Sequence, residues 1–363
     1  MTASPLSSLI ARLIAETGPM PLDHYMALAL GHPKHGYYMT RDPLGALGDF
    51  TTAPEVSQMF GELLGLWLAD AWTRQGAPTP FVLAELGPGR GTLMADLLRA
   101  LRAVPPMLEA AQIHFVETSP VLKAAQKELV PQATWHDRID SLPQEPLFLI
   151  AHEFFDALPI RQFVRTDRGW CERFVALGEG NTAENPRFVS MLAPAPLPSD
   201  DILPPAVRGA PPGSIAEISL ASLANIDEIA TRLGTHGGAA LIVDYGHTHS
   251  APGDTLQAVR AHQFANPFEA PGEADITAHV DFETLATAAR KAGAVVHGPV
   301  EQGEFLRDLG IETRAKKLKT HANAEQAQEI DAALKRLTAR DEMGSLFKAM
   351  ALTPPGAPEP AGF

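Results

Sequence analysis

The residues best suited to chemistry stand in FVLAELGPGRGTLMADLLRAL, where an apolar run passes through Glu85-Leu86-Gly87-Pro88-Gly89-Arg90-Gly91-Thr92 into a helical pattern. Glycines at 87, 89 and 91 permit a sharp turn and let a ligand lie against bare backbone. The helix that starts at Thr92 offers unpaired N–H groups and the positive end of a dipole. A dinucleotide fingerprint spaces its glycines G-x-G-x-x-G/A around a pyrophosphate. Here the spacing is G-x-G-x-G, and Glu85 sets a carboxylate just before the first glycine. That charge repels a pyrophosphate and attracts an ammonium group, which favours S-adenosylmethionine over NAD.

Further carboxylates follow at the ends of later apolar runs. Glu117, in IHFVETSP, stands where an acid can accept both ribose hydroxyl protons of a nucleoside ligand. Asp137, in TWHDRI, can take the adenine amino protons or serve as an ordinary turn aspartate. In LFLIAHEFFDALPIRQF, His152, Glu153 and Asp156 follow a fourth apolar run, and acids there suit a cationic or amine-bearing substrate. The pairs His32/His35 and His247/His249 lie in loops and read as hydrogen-bonded loop histidines. No G-x-S-x-G hydrolase signature and no P-loop occurs.

Positioning these groups requires strands that alternate with helices. Apolar runs at 81–86, 113–117, 133–136 and 147–152 alternate with helical patterns at 92–104 and 120–129, which predicts a parallel sheet wound with helices on both faces. The pattern resumes with a helix at 220–233, strands at 239–244 and 294–297, a helix at 282–292 and a last strand at 345–351. The sequence before the sheet reads as helical, with one long helix expected from Pro54 through Trp72. Between them, 162–164 and 171–177 flank TDRG as a hairpin, and 247–277 reads as irregular. The expected organisation is a helical N-terminal region over 1–78, an α/β core over 79–351 with a β-rich insertion at about 160–215, and a flexible Pro-rich tail over 352–363.

The chain has 363 residues, 45% of them apolar, with 29 basic against 43 acidic side chains and a net charge of -14. That balance suits a globular protein and argues against general binding to nucleic acid or anionic membrane. Cys171 is the only cysteine, which excludes an intrachain disulfide and a Cys-based metal centre. No apolar run approaches the roughly 20 residues of a membrane span. A reducing compartment is expected, most simply a bacterial cytoplasm, or a mitochondrial matrix for a processed form.

GHPKHGYYMTRDPLGALGDFTTAPEVSQMFGELLGLW, AELGPGRGTLMADLLR, HEFFDALPIRQF, ALIVDYGH, PGEADITAHVDF and MGSLFKAM together resemble the MidA-like methyltransferases, relatives of the mitochondrial complex I assembly-factor arginine methyltransferase. The resemblance runs from about Pro21 to Ala351. It implies a class I, Rossmann-like S-adenosylmethionine-dependent methyltransferase that symmetrically dimethylates an arginine in the quinone-site subunit of respiratory complex I during assembly. By position, Gly87, Gly89 and Gly91, with Thr92, form the cofactor loop; Glu85 lies near the methionine end and Glu117 on the ribose. Gly48, Asp49, Thr51, Thr52 and Glu55 belong to the signature loop, expected to close over cofactor or substrate. Glu153, Asp156 and Glu55 are the acids expected to orient the guanidinium. His152 stands where the family has Asn, and on that feature rests the competing reading of a non-catalytic S-adenosylmethionine-binding assembly factor. The partner is a protein substrate, and a homo-oligomer is left open.

Overall fold

A computed structural model of the chain describes residues 4–43, 51–182 and 186–363. It divides into two compact units, one formed by Thr51–Phe155, Asn225–Thr248 and Val280–Phe363, the other by Met1–Phe50, Asp156–Ala224 and His249–His279.

The first unit is built on strands β1 (Phe81–Leu86), β2 (Ala111–Val116), β3 (Thr134–His136), β4 (Leu147–His152), β5 (Gly238–His247), β6 (Val295–Glu301) and β7 (Phe347–Thr353). Across the sheet the order is β3-β2-β1-β4-β5-β7-β6. The first five are parallel, and β7 runs antiparallel to both neighbours. Every residue of β1 and β4 is buried, as continuous apolar runs require in a sheet covered on both faces. The strand order reverses between β1 and β4, and the crevice outside the carboxyl ends at such a switch point is where α/β sheets bind ligands.

Helix α1 (Gln58–Arg74) packs against α2 (Thr92–Leu101). The approach is close because Gly61 and Gly65 lack side chains: a Cβ at Gly61 would lie 2.7 Å from Asp96 Cβ, and one at Gly65 3.0 Å from the Leu97 carbonyl oxygen. Beside this contact Arg314 donates to both oxygens of the buried Glu62, at 2.7 and 3.0 Å. The single helix expected from Pro54 is in fact two. A short turn, Ala53–Val56, stops at Ser57, whose extended backbone (φ -163°, ψ 137°) restarts the chain and whose hydroxyl accepts the Met59 N–H. A capping serine competes with helix continuation.

The stretch 352–363, expected as a flexible tail, makes contacts within this unit. Trp67 Nε1 donates to the Ala361 carbonyl at 3.0 Å, Arg74 donates to the Glu359 carbonyl at 3.1 Å, and the Phe363 ring packs 5.2 Å from Phe305. An aromatic terminus finds an apolar seat that its Pro-rich approach does not advertise.

The second unit is antiparallel. Met20–Pro21, Gly169–Leu177, Arg161–Thr166 and Ile215–Ile218 lie side by side in that order, and Phe188–Leu192 pairs with Gly169–Leu177. The hairpin expected around TDRG is present, with Thr166 opposite Gly169. Helices Pro5–Thr17 and Leu22–Gly31 bury Leu6, Ile10, Tyr25 and Met26 in one cluster with Ile160, Val175 and Phe188. The N-terminal region is therefore shared: these two helices go with the antiparallel sheet, held by the pairing of Met20 with Val175, and α1 goes with the α/β sheet. The stretch expected as irregular contains a three-stranded sheet, Gln257–Arg260, Gln263–Ala265 and Asp275–Thr277. Among the described residues no helix is long and apolar enough to cross a membrane.

Candidate active site

Beyond β1 the Gly87 N–H donates to the Val116 carbonyl at 3.0 Å, so the chain stays paired for one more residue before it turns. It then passes through Gly87, Gly89 and Gly91 at φ 58°, 53° and 86°. These are left-handed values that cost an L side chain roughly 1–2 kcal/mol each. At Gly87 a side chain would also meet Phe154, since its Cβ would stand 3.0 Å from the ring. Gly91 occupies the N-cap position of α2 without a side-chain cap.

Several polar groups lie at the ends of these strands and near the turn. Glu85, almost wholly buried, accepts the backbone N–H of Met94, and its Oε2 has no hydrogen-bond partner among the described residues. Burial pushes its carboxyl well above the usual range, against the pull of that N–H. Glu117, at the tip of β2, accepts the Ser119 N–H at 2.7 Å and the Gln126 side-chain amide at 3.1 Å. Burial raises its carboxyl too, and both contacts oppose the rise. Thr92 Oγ1 donates to Glu55 Oε1 at 2.6 Å, and Arg90 lies 3.6 Å from the other oxygen of Glu55. Glu55 is thus fastened to the start of α2. Thr52 is buried at the start of the turn that carries Glu55. Asp137, beyond β3, is exposed and pairs with Lys123 Nζ at 2.8 Å, and that contact holds its carboxyl below the usual value.

Gln126 was not singled out from the sequence. It lies on helix α3 (Pro120–Leu129), fully buried, where its amide donates to the Gly89 carbonyl at 2.7 Å and to Glu117, and its oxygen accepts Trp135 Nε1 at 2.8 Å. One side chain thereby ties the glycine turn to the acid of β2 and to β3. The available signal was its place four residues after Leu122, on the buried stripe of the helix.

At the tip of β4, the His152 ring packs 4.9 Å from Phe60 and 6.4 Å from Phe347. Burial lowers its pKa to about 3, so the ring is neutral, and its 3.4 Å approach to Glu153 Oε1 is not an ion pair. Glu153 holds φ 47°, a left-handed backbone that non-glycine residues seldom adopt and that clusters at functional sites. Its N–H donates to the Val243 carbonyl at 3.1 Å. Asp156 belongs to the antiparallel unit. There its carbonyl accepts the Ala278 N–H at 3.0 Å, and its charge, with that of Asp275, raises the Tyr38 hydroxyl beyond the effect of burial. Gly48 and Asp49 lie outside the described residues.

A family model of S-adenosyl-L-methionine-dependent methyltransferases matches residues 63–300, which carry the glycine turn, Glu117 and Glu153. The chain belongs to the MidA-like methyltransferases. Among curated relatives of this methyltransferase, it is 37% identical to the mitochondrial "Protein arginine methyltransferase NDUFAF7 homolog" of Drosophila melanogaster, over 96% of this chain and 85% of that protein. It is 35% identical to the human mitochondrial "Protein arginine methyltransferase NDUFAF7", over 97% of this chain and 84% of that one. A crystal structure from Burkholderia thailandensis, bound to S-adenosyl-homocysteine, superposes with a TM-score of 0.83 at 29% identity, covering 98% of this chain and 93% of that one. The class I methyltransferase fold expected from the sequence is therefore established, and with it dependence on S-adenosylmethionine.

The residues of this methyltransferase fit that cofactor. The glycine turn presents backbone where a Cβ would intrude, Glu85 keeps a buried oxygen without a partner, and Glu117 offers acceptors for vicinal hydroxyls. When bound, the cofactor supplies an electrophilic methyl group on a sulfonium. The chain's own part is to hold that group, exclude water and present an acceptor in line with it.

Proposed function

We propose that this methyltransferase acts on protein arginine, and that its acceptor lies in the quinone-site subunit of respiratory complex I, symmetrically dimethylated during assembly. The relatives named above as protein arginine methyltransferases support the first part. The observation that carries the reading is Glu153, a carboxylate held at φ 47° on the tip of the strand beside the one that leads into the glycine turn. A guanidinium is planar and permanently charged, and a carboxylate pairs with it across two N–H donors. Glu153 binds the acceptor in this way, fixes which nitrogen faces the methyl group, and takes up at a carboxylate oxygen the proton that the methylated nitrogen releases. Glu117 and Gln126 hold the ribose end, and Glu85 the end that carries the ammonium. The -14 net charge favours encounter with a basic segment of a partner protein. The compartment that suits such a partner is a bacterial cytoplasm, or a mitochondrial matrix for a processed form; the relatives named above are mitochondrial.

The test is transfer of labelled methyl from S-adenosylmethionine into lysate of cells that lack the gene, followed by mass spectrometry of the labelled bands. The expected result is dimethylarginine on one protein, the quinone-site subunit. Glu153→Gln should bind S-adenosyl-homocysteine almost normally and lose roughly 10²–10⁴-fold in turnover. Full turnover by Glu153→Gln sinks the role of Glu153. A wild-type protein that binds S-adenosyl-homocysteine yet labels no arginine sinks the arginine reading.

A further inference from the structure

The left-handed backbone at Glu153 costs free energy and persists only if its surroundings over-determine it. The structure supplies the restraint from the neighbouring strand. Asp244, near the end of β5, is fully buried. Its Oδ2 accepts two successive backbone N–H groups, Phe154 at 3.1 Å and Phe155 at 2.8 Å, and its Oδ1 accepts the N–H of Tyr245 at 2.8 Å. The β4–β5 ladder pairs His152 with Val243, and the Glu153 N–H still reaches the Val243 carbonyl. Where the ladder would stop, the carboxylate takes over and binds the two amides that follow the turn. On the far side of those amides the Phe154 ring lies against Gly87, so close that a Cβ there would meet it at 3.0 Å. One buried side chain thus pins a turn that carries Glu153 at its start and touches the cofactor loop through its next residue.

We propose that Asp244 is a positioning residue for methyl transfer: its carboxylate locks the Glu153–Phe155 turn, which presents Glu153 to the acceptor. The role rests on the reading of Glu153 given above. An aspartate suits it because an acceptor-only carboxylate can take three N–H donors at once, whereas an amide brings a donor that faces those N–H groups.

The test uses Asp244→Asn, which keeps the shape, and Asp244→Glu, which keeps the charge but lengthens the side chain. Each is assayed as full-length protein for label transfer at saturating S-adenosylmethionine into the lysate described above, for S-adenosyl-homocysteine affinity, and for amide hydrogen exchange. The expected result is a rate lower by roughly tenfold or more, with affinity changed by less than about threefold and with faster exchange confined to the peptide spanning Phe154 and Phe155. Continued protection of β1 and β4 peptides shows that the fold is intact. Glu153→Gln is run in parallel. A folded, fully active Asp244→Asn beside an inactive Glu153→Gln overturns the positioning role alone, and an active Glu153→Gln overturns the reading of Glu153 and the proposal with it. A rate loss matched by an equal loss of affinity, or by global loss of protection in both variants, overturns it as well, because the carboxylate would then be serving the cofactor site or the fold at large.

Discussion

Replacing His152 by Asn tests whether the ring beside Glu153 is neutral. Exposed imidazole titrates near 6.5, and burial between Phe60 and Phe347 lowers His152 to about 3. Below 6.5 the unfolded chain takes up a proton that the folded chain refuses, so stability falls as pH falls and keeps falling down to about 3. Between pH 7.5 and pH 5.5 this one side chain should remove about 1.4 kcal/mol of stability, and about 2.7 kcal/mol by pH 4.5. His152→Asn has no such proton to lose. Urea denaturation at the three pH values, followed by tryptophan fluorescence, should show wild type losing that much more than the variant. Equal losses would falsify the neutral assignment. The opposite sign would mean that His152 and Glu153 form a true ion pair, because a raised histidine pKa stabilises at low pH and loses that support as pH rises.

One further substitution and one deletion probe other parts of the molecule. Glu117→Ala removes acceptors for two hydroxyls, each hydrogen bond to a charged group contributing about 1.5–3 kcal/mol, so S-adenosyl-homocysteine affinity by calorimetry should fall roughly 10²–10⁴-fold; unchanged affinity would remove Glu117 from the ribose. Deleting Ala361–Phe363 takes away the Trp67 acceptor and the ring packed on Phe305. It should cost about 2 kcal/mol, read as a lower thermal midpoint, and an unaltered midpoint would return the tail to a flexible role.

The strands of the parallel sheet were legible because strands buried on both faces leave unbroken apolar runs, and the turn at Gly87–Gly91 because its backbone needs glycine. What escaped depends on partners distant in sequence. Gln126 and Asp244 are single polar residues in apolar settings, and only the fold shows that each gathers backbone and side-chain groups from other segments. The left-handed backbone of Glu153 leaves no mark, since glutamate is not a residue chosen for such a conformation. The hairpin inside 247–277 was missed for a related reason: its turn places Ala261 and His262 at φ 50° and 59°, positions where glycine or asparagine would have announced it. Ser57 was available as a capping signal but was outvoted by apolar periodicity on both sides. At the candidate site, Glu85 and Glu117 could be picked out by their place at strand ends. Thr92 and Glu55 also stood out singly, but their contact joins residues too far apart in the chain for spacing to reveal.

The way the two units alternate along the chain sets an order of events during synthesis. The antiparallel unit draws on three stretches, the last ending at His279, and Met20 finds its strand partner only at Val175. As a ribosome delivers the chain from its amino end, the first two helices emerge with an apolar face and wait more than a hundred residues for the surface that covers it. The α/β unit waits longer, because β7, which sits between β5 and β6, is made last. Such long-range pairings fold slowly and leave sticky surface open meanwhile. Neither unit can be released by a single proteolytic cut, because each draws on three stretches of the chain.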